Sequence, residues 1–170
     1  GLVKGGYDFW RDWANEQGGI KVGDKKYLVD IIYYDDKSDT MTSAKLTERL
    51  ITEDKVNFLL APYSSGIAFA TSAIGERYGY ITIAGAANSD ALYERGYKYL
   101  FSVMPPASAD FYYISDLVNQ QKPTPKTVAI LTLDNLFPIL ATDGLRSRIK
   151  TLGLEEVYYT KFPVKTTDFS

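Results

Sequence analysis

Short apolar segments alternate with amphipathic segments along most of the chain. Leu2, Phe9 and Trp13 recur at helical spacing, and this run closes at 15–19, where glycines suit a left-handed helix cap. β-branched and aromatic runs between the helices indicate strands. The alternation predicts an α/β fold, a parallel sheet with helices on both of its faces. The predicted strands are 27–34, 56–61, 80–84, 99–103, 127–133 and 154–162, and the later helices are 41–54, 66–78, one that follows Pro106 and ends near 121, and 136–152.

A proline-rich stretch, KPTPK at 122–126, divides the chain, because its prolines oppose both helix and central strand. The opening helix has no strand before it, and 166–170 stop directly after a strand. We therefore expect a first lobe without its first strand and an incomplete second lobe. The predicted division is a first ligand-binding lobe at 1–121, a hinge or linker at 122–126 and the start of the second lobe at 127–170.

Composition narrows the class of function. The chain of 170 residues carries 19 Lys+Arg and 21 Asp+Glu, a net charge of -2 without a basic block, so nucleic acid is not an expected partner. No apolar run reaches the roughly 18 residues of a membrane span, so we expect no direct membrane insertion. Cysteine and histidine both number 0, which removes thiolate nucleophiles, imidazole bases and Cys/His metal sites. Glycine-rich nucleotide motifs are also missing, which disfavours dinucleotide and nucleoside-triphosphate binding. A lysine base stays open but has no support from the pattern, and we predict no cofactor, no metal and no enzyme.

Asp35, Asp36 and Asp39 form the densest carboxylate cluster of the sequence. Adjacent residues at a strand end point in opposite directions, and no glycine follows at the spacing of a calcium loop. Aspartates directly before a helix commonly serve as N-caps. We interpret this cluster as a solvated loop with helix caps rather than as a metal site.

The stretch APYSSGIAFA at 61–70 offers a ligand site where a strand leads directly into a helix. In open α/β sheets, ligands lie beyond the carboxyl ends of the strands. The N–H groups of a helix N-terminus, with the hydroxyls of Ser64 and Ser65, could bind a carboxylate, and Gly66 would allow a close approach. The alternative is that one serine merely caps its own helix. The small-residue loop 85–90, after the next strand, is the second candidate.

Short motifs spread over the whole chain resemble, in order, those of one known protein family. They are YDFW (7–10), NEQGGI (15–20), YDD (34–36), LI (50–51), PYSSG (62–66), GAA (85–87), RGYKYLF (95–101) and DFS (168–170). Together they resemble the leucine/isoleucine/valine-binding type of periplasmic binding protein, the solute receptor of an ABC importer. The resemblance implies two Rossmann-like lobes, joined by a hinge, that close over a small ligand.

The resemblance also implies which residues hold that ligand. Hydroxyl and backbone groups of the first two strand-end loops would bind a carboxylate and an amino group, with Ser65 as the principal residue. Phe137 would pack on the ligand; its alternative is ordinary core of the second lobe. Asn88 stands where amino-acid binders of the family usually have Ser or Thr, so it replaces that hydroxyl or the ligand is not an α-amino acid. The predicted ligand-binding set is Tyr63, Ser64, Ser65, Gly66, Gly85, Ala86, Ala87, Asn88 and Phe137.

The function implied by the resemblance is capture of an amino acid or another small carboxylate and its delivery to an ABC permease in the membrane. Aromatic acids and dicarboxylates stay open, and the acidic partner of an ammonium group is expected in a part of the second lobe beyond this chain. The expected location is the periplasm or the cell exterior, with lipid anchoring as an option. One alternative is the extracellular ligand-sensing domain of a receptor, and another is a flavodoxin-like enzyme, which would need a bound flavin.

Overall fold

Helices and strands alternate in the computed structural model, which describes residues 2–169. The side chain of Leu2 and all of Ser170, which belong to the opening helical pattern and to the DFS motif, lie outside the described part. No helix within 2–169 is long and apolar enough to cross a membrane. The helices are α1 (Leu2–Glu16), α2 (Thr40–Thr52), α3 (Ser65–Tyr78), α4 (Asp90–Tyr93), α5 (Tyr112–Asn119) and α6 (Leu136–Thr151). The strands are β1 (Ile20–Val22), β2 (Lys25–Tyr27), β3 (Leu59–Leu60), β4 (Thr82–Ala84), β5 (Leu100–Ser102), β6 (Thr127–Leu133) and β7 (Glu155–Phe162).

The two sheets formed by β3 to β7 are parallel, as predicted. The first has the order β3-β4-β5, and the second pairs β6 with β7. Each parallel neighbour is reached through a connection that contains a helix, which is the connection that parallel strands require. The carboxyl ends of β3 and β4 therefore lie side by side, and so do the loops that follow them. The α/β fold class is confirmed.

The prediction of a strand at 27–34 is wrong for most of its length, because β2 ends at Tyr27 and 28–36 carry no regular strand. A cavity of about 280 Å³ lies between 29–33 and 56–60. A strand needs a hydrogen-bonded neighbour, and this gap separates the two segments that could have paired. The same gap explains why the strand predicted at 56–61 is reduced to β3.

The order of elements near 20–27 and 90–121 also differs from the prediction. β1 and β2 form an antiparallel pair, with Ile20 opposite Tyr27, that the sequence pattern did not indicate. The short helix α4 was not predicted either. The single helix expected after Pro106 is a 3-10 turn at 107–109 followed by α5, so the regular helix is interrupted at 110–111.

Small residues form the core beneath the first parallel sheet. Ala68 on α3 and Ala84 on β4 are fully buried, and they cluster with Ala61 and Ala87. Alanines at the contact allow helix and sheet to approach closely, which fixes the direction of α3 relative to the ends of β3 and β4. A separate cluster of Ile130, Ile149 and Leu154 lies between α6 and the second parallel sheet.

Arg95 links α3 to the turn that precedes β5 through hydrogen bonds. Its guanidinium donates to the carbonyl of Phe69 at 2.8 Å and to the hydroxyl of Ser72 at 2.5 Å. The same group lies 3.9 Å from the ring centroid of Phe69 and 4.1 Å from that of Tyr97. Burial lowers the pKa of Arg95. The RGY part of the RGYKYLF motif therefore holds α3 in place.

The contact of Tyr33 with α1 predicts a loss of stability at alkaline pH. The Tyr33 hydroxyl donates to Asp8 at 3.1 Å. Burial, and then this bond to Asp8, raise the pKa of Tyr33 to about 12, against about 10 in an unfolded chain. The folded state therefore disfavours the ionised form, so the stabilisation is complete below about pH 10 and is lost as the pH rises toward about 12.

We expect the free energy of unfolding of the full-length protein, measured by urea titration, to fall over this pH interval. In Tyr33→Phe the fall should be shallower, although not abolished, because the pKa values of Tyr7 and Tyr93 are also raised by burial. An equal slope in wild type and variant would contradict the role assigned to Tyr33.

Candidate ligand-binding site

One cavity of about 460 Å³ brings most of the predicted site residues together. It opens where β3, β4 and β6 end, and its volume lies in the range of about 300 to 1,000 Å³ that small-molecule sites occupy. Residues on both sides of the 122–126 stretch contribute to its wall. The predicted residues that line it are Tyr63, Ser64, Ser65, Ala86, Asn88 and Phe137, and the others are Met104, Asp110, Leu133, Asn135 and Pro138.

The N-terminus of α3 reaches this cavity without a side-chain cap. Ser64 is the N-cap residue and has extended backbone angles, but its hydroxyl makes no capping hydrogen bond. The first backbone bond at this end runs from the N–H of Ala68 to the carbonyl of Ser64, at 2.8 Å. The N–H groups that precede Ala68 in the first turn of α3 therefore have no partner inside the helix. The interpretation of Ser64 as an ordinary cap is wrong.

Two other long helices differ from α3 in this respect. The carboxylate of Asp39 accepts from the N–H of Thr42 at 2.7 Å and caps α2. The side chain of Asn135 accepts from the N–H of Leu136 at 2.7 Å and caps α6. The chain thus supplies side-chain caps to α2 and α6, whereas the N-terminus of α3 faces the cavity without one, and the shorter helices α4 and α5 also begin without a side-chain cap.

Ser65 joins the two strand-end loops. Its hydroxyl oxygen accepts from the N–H of Ser89 at 3.3 Å, and the residue is only 3% exposed. A hydroxyl that accepts one bond still has its own proton to donate. Ser65 therefore presents a free donor at the cavity wall, and it does not act as a cap of α3.

Gly85 and Ala87 lie beside the cavity but do not line it. An alanine Cβ at position 85 would come within 2.9 Å of the Tyr7 hydroxyl, which itself donates to the carbonyl of Ala61 at 3.1 Å. Ala87 is fully buried, and its carbonyl accepts from the Tyr93 hydroxyl at 2.6 Å. The geometry gives both residues packing roles, which leaves Ala86 as the member of the GAA motif at the cavity.

Asn88 is tied to the segment after β5. Its side-chain amide donates to the carbonyl of Pro105 at 3.0 Å and to the two carboxylate oxygens of Asp110 at 3.2 and 3.3 Å. The backbone carbonyl of Asn88 accepts from the N–H of Ala107 at 2.8 Å. Because an amide NH₂ has two protons and both are engaged within the protein, Asn88 cannot replace a hydroxyl as a donor to the carboxylate of a ligand.

Gly66 marks a close approach between the two parts of the chain. A Cβ at this position would lie 3.3 Å from the side-chain oxygen of Asn135. The glycine thus makes room for a neighbouring side chain, whereas the sequence analysis expected it to make room for a ligand.

Phe137, in the first turn of α6, is half-buried, lines the cavity and is not part of the core cluster of the second sheet.

Asp110 and Asn135 were missed by the sequence analysis. Asn135 lies two residues after the end of β6, so the strand-end rule that found Ser64 would also have found it. Asp110 follows no strand end, because it lies inside a segment whose sequence pattern is helical and which the structure interrupts.

The aspartates that were considered for a metal instead bind backbone N–H groups: Asp35 accepts from Lys37 and Asp36 from Ser38, both at 2.9 Å.

A family model described as periplasmic binding protein matches residues 3–170. The chain belongs to the periplasmic binding protein family. The resemblance deduced from the motifs is therefore confirmed, and the fold is the type I fold of these proteins. This family is one of solute-binding proteins and not of enzymes, so the flavodoxin-like enzyme loses its support.

Solved structures of ABC transporter proteins share this fold. The branched-chain amino acid substrate-binding protein LivJ of Streptococcus pneumoniae, in complex with isoleucine, is 29% identical over 94% of this chain, with a TM-score of 0.78. A solute-binding protein of Rhodopseudomonas palustris BisB5, in complex with 3,4-dihydroxybenzoic acid, is 26% identical over 91% of the chain, with a TM-score of 0.77. A third from R. palustris, in complex with 4-hydroxybenzoate, is 22% identical over 94% of the chain, with a TM-score of 0.81, and supports the fold alone.

This chain spans less than half of each of these proteins: 44% of LivJ, 41% of the dihydroxybenzoate complex and 42% of the hydroxybenzoate complex. The relatives bind amino acids or aromatic carboxylates. These ligands differ in shape and polarity, so membership of the family does not identify the ligand of this chain. The cavity of this chain is the basis for inferring it.

Proposed function

We propose that this protein is an extracytoplasmic solute-binding protein that captures a small carboxylate with an apolar body and delivers it to an ABC permease. The observation that carries the proposal is the uncapped N-terminus of α3, which opens with Ser64 and Ser65 into the cavity described above. The proposal places the protein in the periplasm or on the cell surface, with or without a lipid anchor.

The polar end of the cavity suits a carboxylate. A helix N-terminus carries a partial positive charge, and its free N–H groups point outward along the helix axis. Donors to an ionised group contribute about 1.5 to 3 kcal/mol each. The hydroxyls of Ser64 and Ser65 add donors at the same end, and the backbone of Ala86 lies beside them. An anion is the ligand that satisfies all of these groups together.

The rest of the cavity suits an apolar body. Met104 and Leu133 contribute aliphatic surface, and Phe137 and Pro138 contribute further apolar surface from the start of α6. Burial of an apolar ligand against these residues would contribute about 25 cal/mol per Å². Isoleucine and 3,4-dihydroxybenzoic acid, which are bound by LivJ and by the solute-binding protein of R. palustris BisB5, have this combination of a carboxylate and an apolar or aromatic body.

The position of the cavity supports closure around a hinge. Its wall combines residues before 122–126, such as Ser65, with residues after it, such as Phe137. We propose that these two parts are lobes, that 122–126 is the hinge, and that ligand binding draws the lobes together. Only the difference between the affinities for the closed and the open form shifts this equilibrium. A shift from 1:99 to 99:1 needs a difference of about 5.5 kcal/mol, which is less than the roughly 8 kcal/mol of a micromolar affinity.

A thermal-shift screen of the full-length protein tests the proposal. The panel contains branched and aromatic amino acids, benzoate and its hydroxylated forms, aliphatic monocarboxylates and dicarboxylates, with the corresponding amides and alcohols as uncharged controls. A ligand present at about 100 times its Kd adds about 2.7 kcal/mol of stability, so we expect a rise of several degrees in Tm for one class of acid. A rise with uncharged compounds only, or with none, would contradict the proposal. Uptake of the ligand into vesicles that contain the cognate permease then distinguishes a transport protein, which delivers its ligand, from the ligand-sensing domain of a receptor.

A further inference from the structure

The cavity contains a carboxylate at a second place on its wall. Asp110 lies in the turn between the 3-10 segment at 107–109 and α5, and it lines the same cavity as Ser64 and Ser65. Within residues 2–169, no lysine or arginine nitrogen lies within 4.0 Å of this carboxylate. A site that accepts an anion at one end thus carries an uncompensated anion of its own at another.

The segment that carries Asp110 is held by side chains from the loop after β4. Asn88 binds the Asp110 carboxylate and the carbonyl of Pro105 through its amide protons. The Asp90 carboxylate accepts from the N–H of Ser108 at 3.0 Å and from its hydroxyl at 2.6 Å. These bonds fix the Asp110 carboxylate before any ligand arrives. A fixed acceptor of this kind is what a binding site needs to discriminate between ligands.

The bond from Asn88 uses only part of the capacity of the Asp110 carboxylate. An ionised carboxylate offers about four lone-pair positions, whereas Asn88 has one amide proton left for it after its bond to Pro105. The remaining acceptor positions are available to a molecule in the cavity. An amino or hydroxyl group could occupy them, whereas a second carboxylate would be repelled.

We propose that Asp110 binds a hydrogen-bond donor on the ligand, an ammonium or hydroxyl group, while the end of α3 binds the ligand carboxylate. This inference rests on the proposed function. The two ends lie within reach of one small molecule, because Ser89 binds Ser65 and the adjacent Asn88 binds Asp110. The substrate class is therefore a carboxylate with a donor group, such as an amino acid or a hydroxylated aromatic acid, and neither a simple fatty acid nor unsubstituted benzoate.

Discrimination against acids without a donor follows from the same geometry. When the cavity closes on such an acid, Asp110 loses water and receives no bond in exchange. Sites built to hydrogen-bond a polar group reject analogues that lack it far more strongly than apolar pockets reject a missing methylene. Asp110 is thus assigned as a specificity residue, and no role in holding the ligand carboxylate is assigned to it.

Calorimetric titration of the full-length protein with matched pairs of acids tests this assignment. The pairs are leucine with 4-methylpentanoate, and 4-hydroxybenzoate with benzoate. We expect the donor-bearing member of the pair that binds to be at least about tenfold tighter, which is about 1.4 kcal/mol. In Asp110→Asn the ratio should fall toward one, although the asparagine carbonyl can still accept from Asn88. The matched control is Asp143→Asn, which removes an exposed carboxylate of α6 outside the cavity and should keep the wild-type ratio.

The outcomes separate the inference from the proposed function. If both members of a pair bind equally tightly in the wild type, or if Asp110→Asn keeps the wild-type ratio, Asp110 is not the specificity residue, while the carboxylate site at α3 stands. If no member of either pair binds and the thermal-shift screen is also negative, the proposed function fails and the inference fails with it.

Discussion

Replacement of Gly144 by alanine is expected to lower the free energy of unfolding by about 3 kcal/mol, at the upper end of what overpacking costs. Gly144 is buried on α6, where this helix packs on the 3-10 turn at 107–109. A Cβ at this position would overlap the backbone carbonyl of Ser108. A backbone carbonyl cannot rotate away as a side chain can, so the helix or the turn must move. Urea unfolding of the full-length protein measures the change.

Gly5→Ala is the matched control for Gly144→Ala. Gly5 lies inside α1, and nothing approaches within 4 Å of the position of an added Cβ. Alanine is a better helix former than glycine by about 1 kcal/mol, so this variant should be neutral or more stable. If Gly144→Ala were as stable as Gly5→Ala, the close packing of α6 against the segment that carries Asp110 would be wrong.

The second large effect is expected on ligand binding, from removal of the hydroxyls at the N-terminus of α3. For the best-binding acid, Ser64→Ala and Ser65→Ala should each weaken binding by at least about tenfold, because each removes a donor to an ionised group worth about 1.5 to 3 kcal/mol. Ser64→Ala should leave the stability of the free protein unchanged, because this hydroxyl caps nothing. Ser65→Ala should also lower stability, because the N–H of Ser89 loses its acceptor.

Ser147→Ala serves as the control for both serine variants. Ser147 is an exposed serine of α6 that does not line the cavity, so its removal should change neither affinity nor stability. Calorimetric titration gives the affinities, and thermal unfolding without ligand gives the stabilities. Unchanged affinity in both Ser64→Ala and Ser65→Ala would exclude the N-terminus of α3 as the carboxylate site.

The parts of the fold that the sequence predicted well are those in which local signals agree. β6 was predicted at 127–133 and is found there, because β-branched residues follow a proline-rich stretch and precede an asparagine cap. The helix predicted at 66–78 begins only one residue earlier. The strand predicted at 27–34 had an equally good pattern but lacks a hydrogen-bonded neighbour, which no local pattern can reveal.

Some residues of the candidate site were predictable from local sequence signals, and others were not. Ser64, Ser65 and Ala86 were predicted from a rule about strand ends, and the structure brings them together with Phe137 at one cavity. Asp110 could not be predicted, because its position depends on an interrupted helix and on a bond from Asn88. The same bond decides that Asn88 does not act as a substitute hydroxyl, which the sequence had left open.

The most direct test of the central claim is a crystal structure of the full-length protein with the best-binding acid. We expect the carboxylate of the ligand to lie about 2.7 to 3.2 Å from the first N–H groups of α3 and from a hydroxyl of Ser64 or Ser65. We also expect the apolar body of the ligand to lie against Phe137. A carboxylate bound elsewhere, with the N-terminus of α3 facing water or an apolar part of the ligand, would contradict the assignment of this helix end as the carboxylate site.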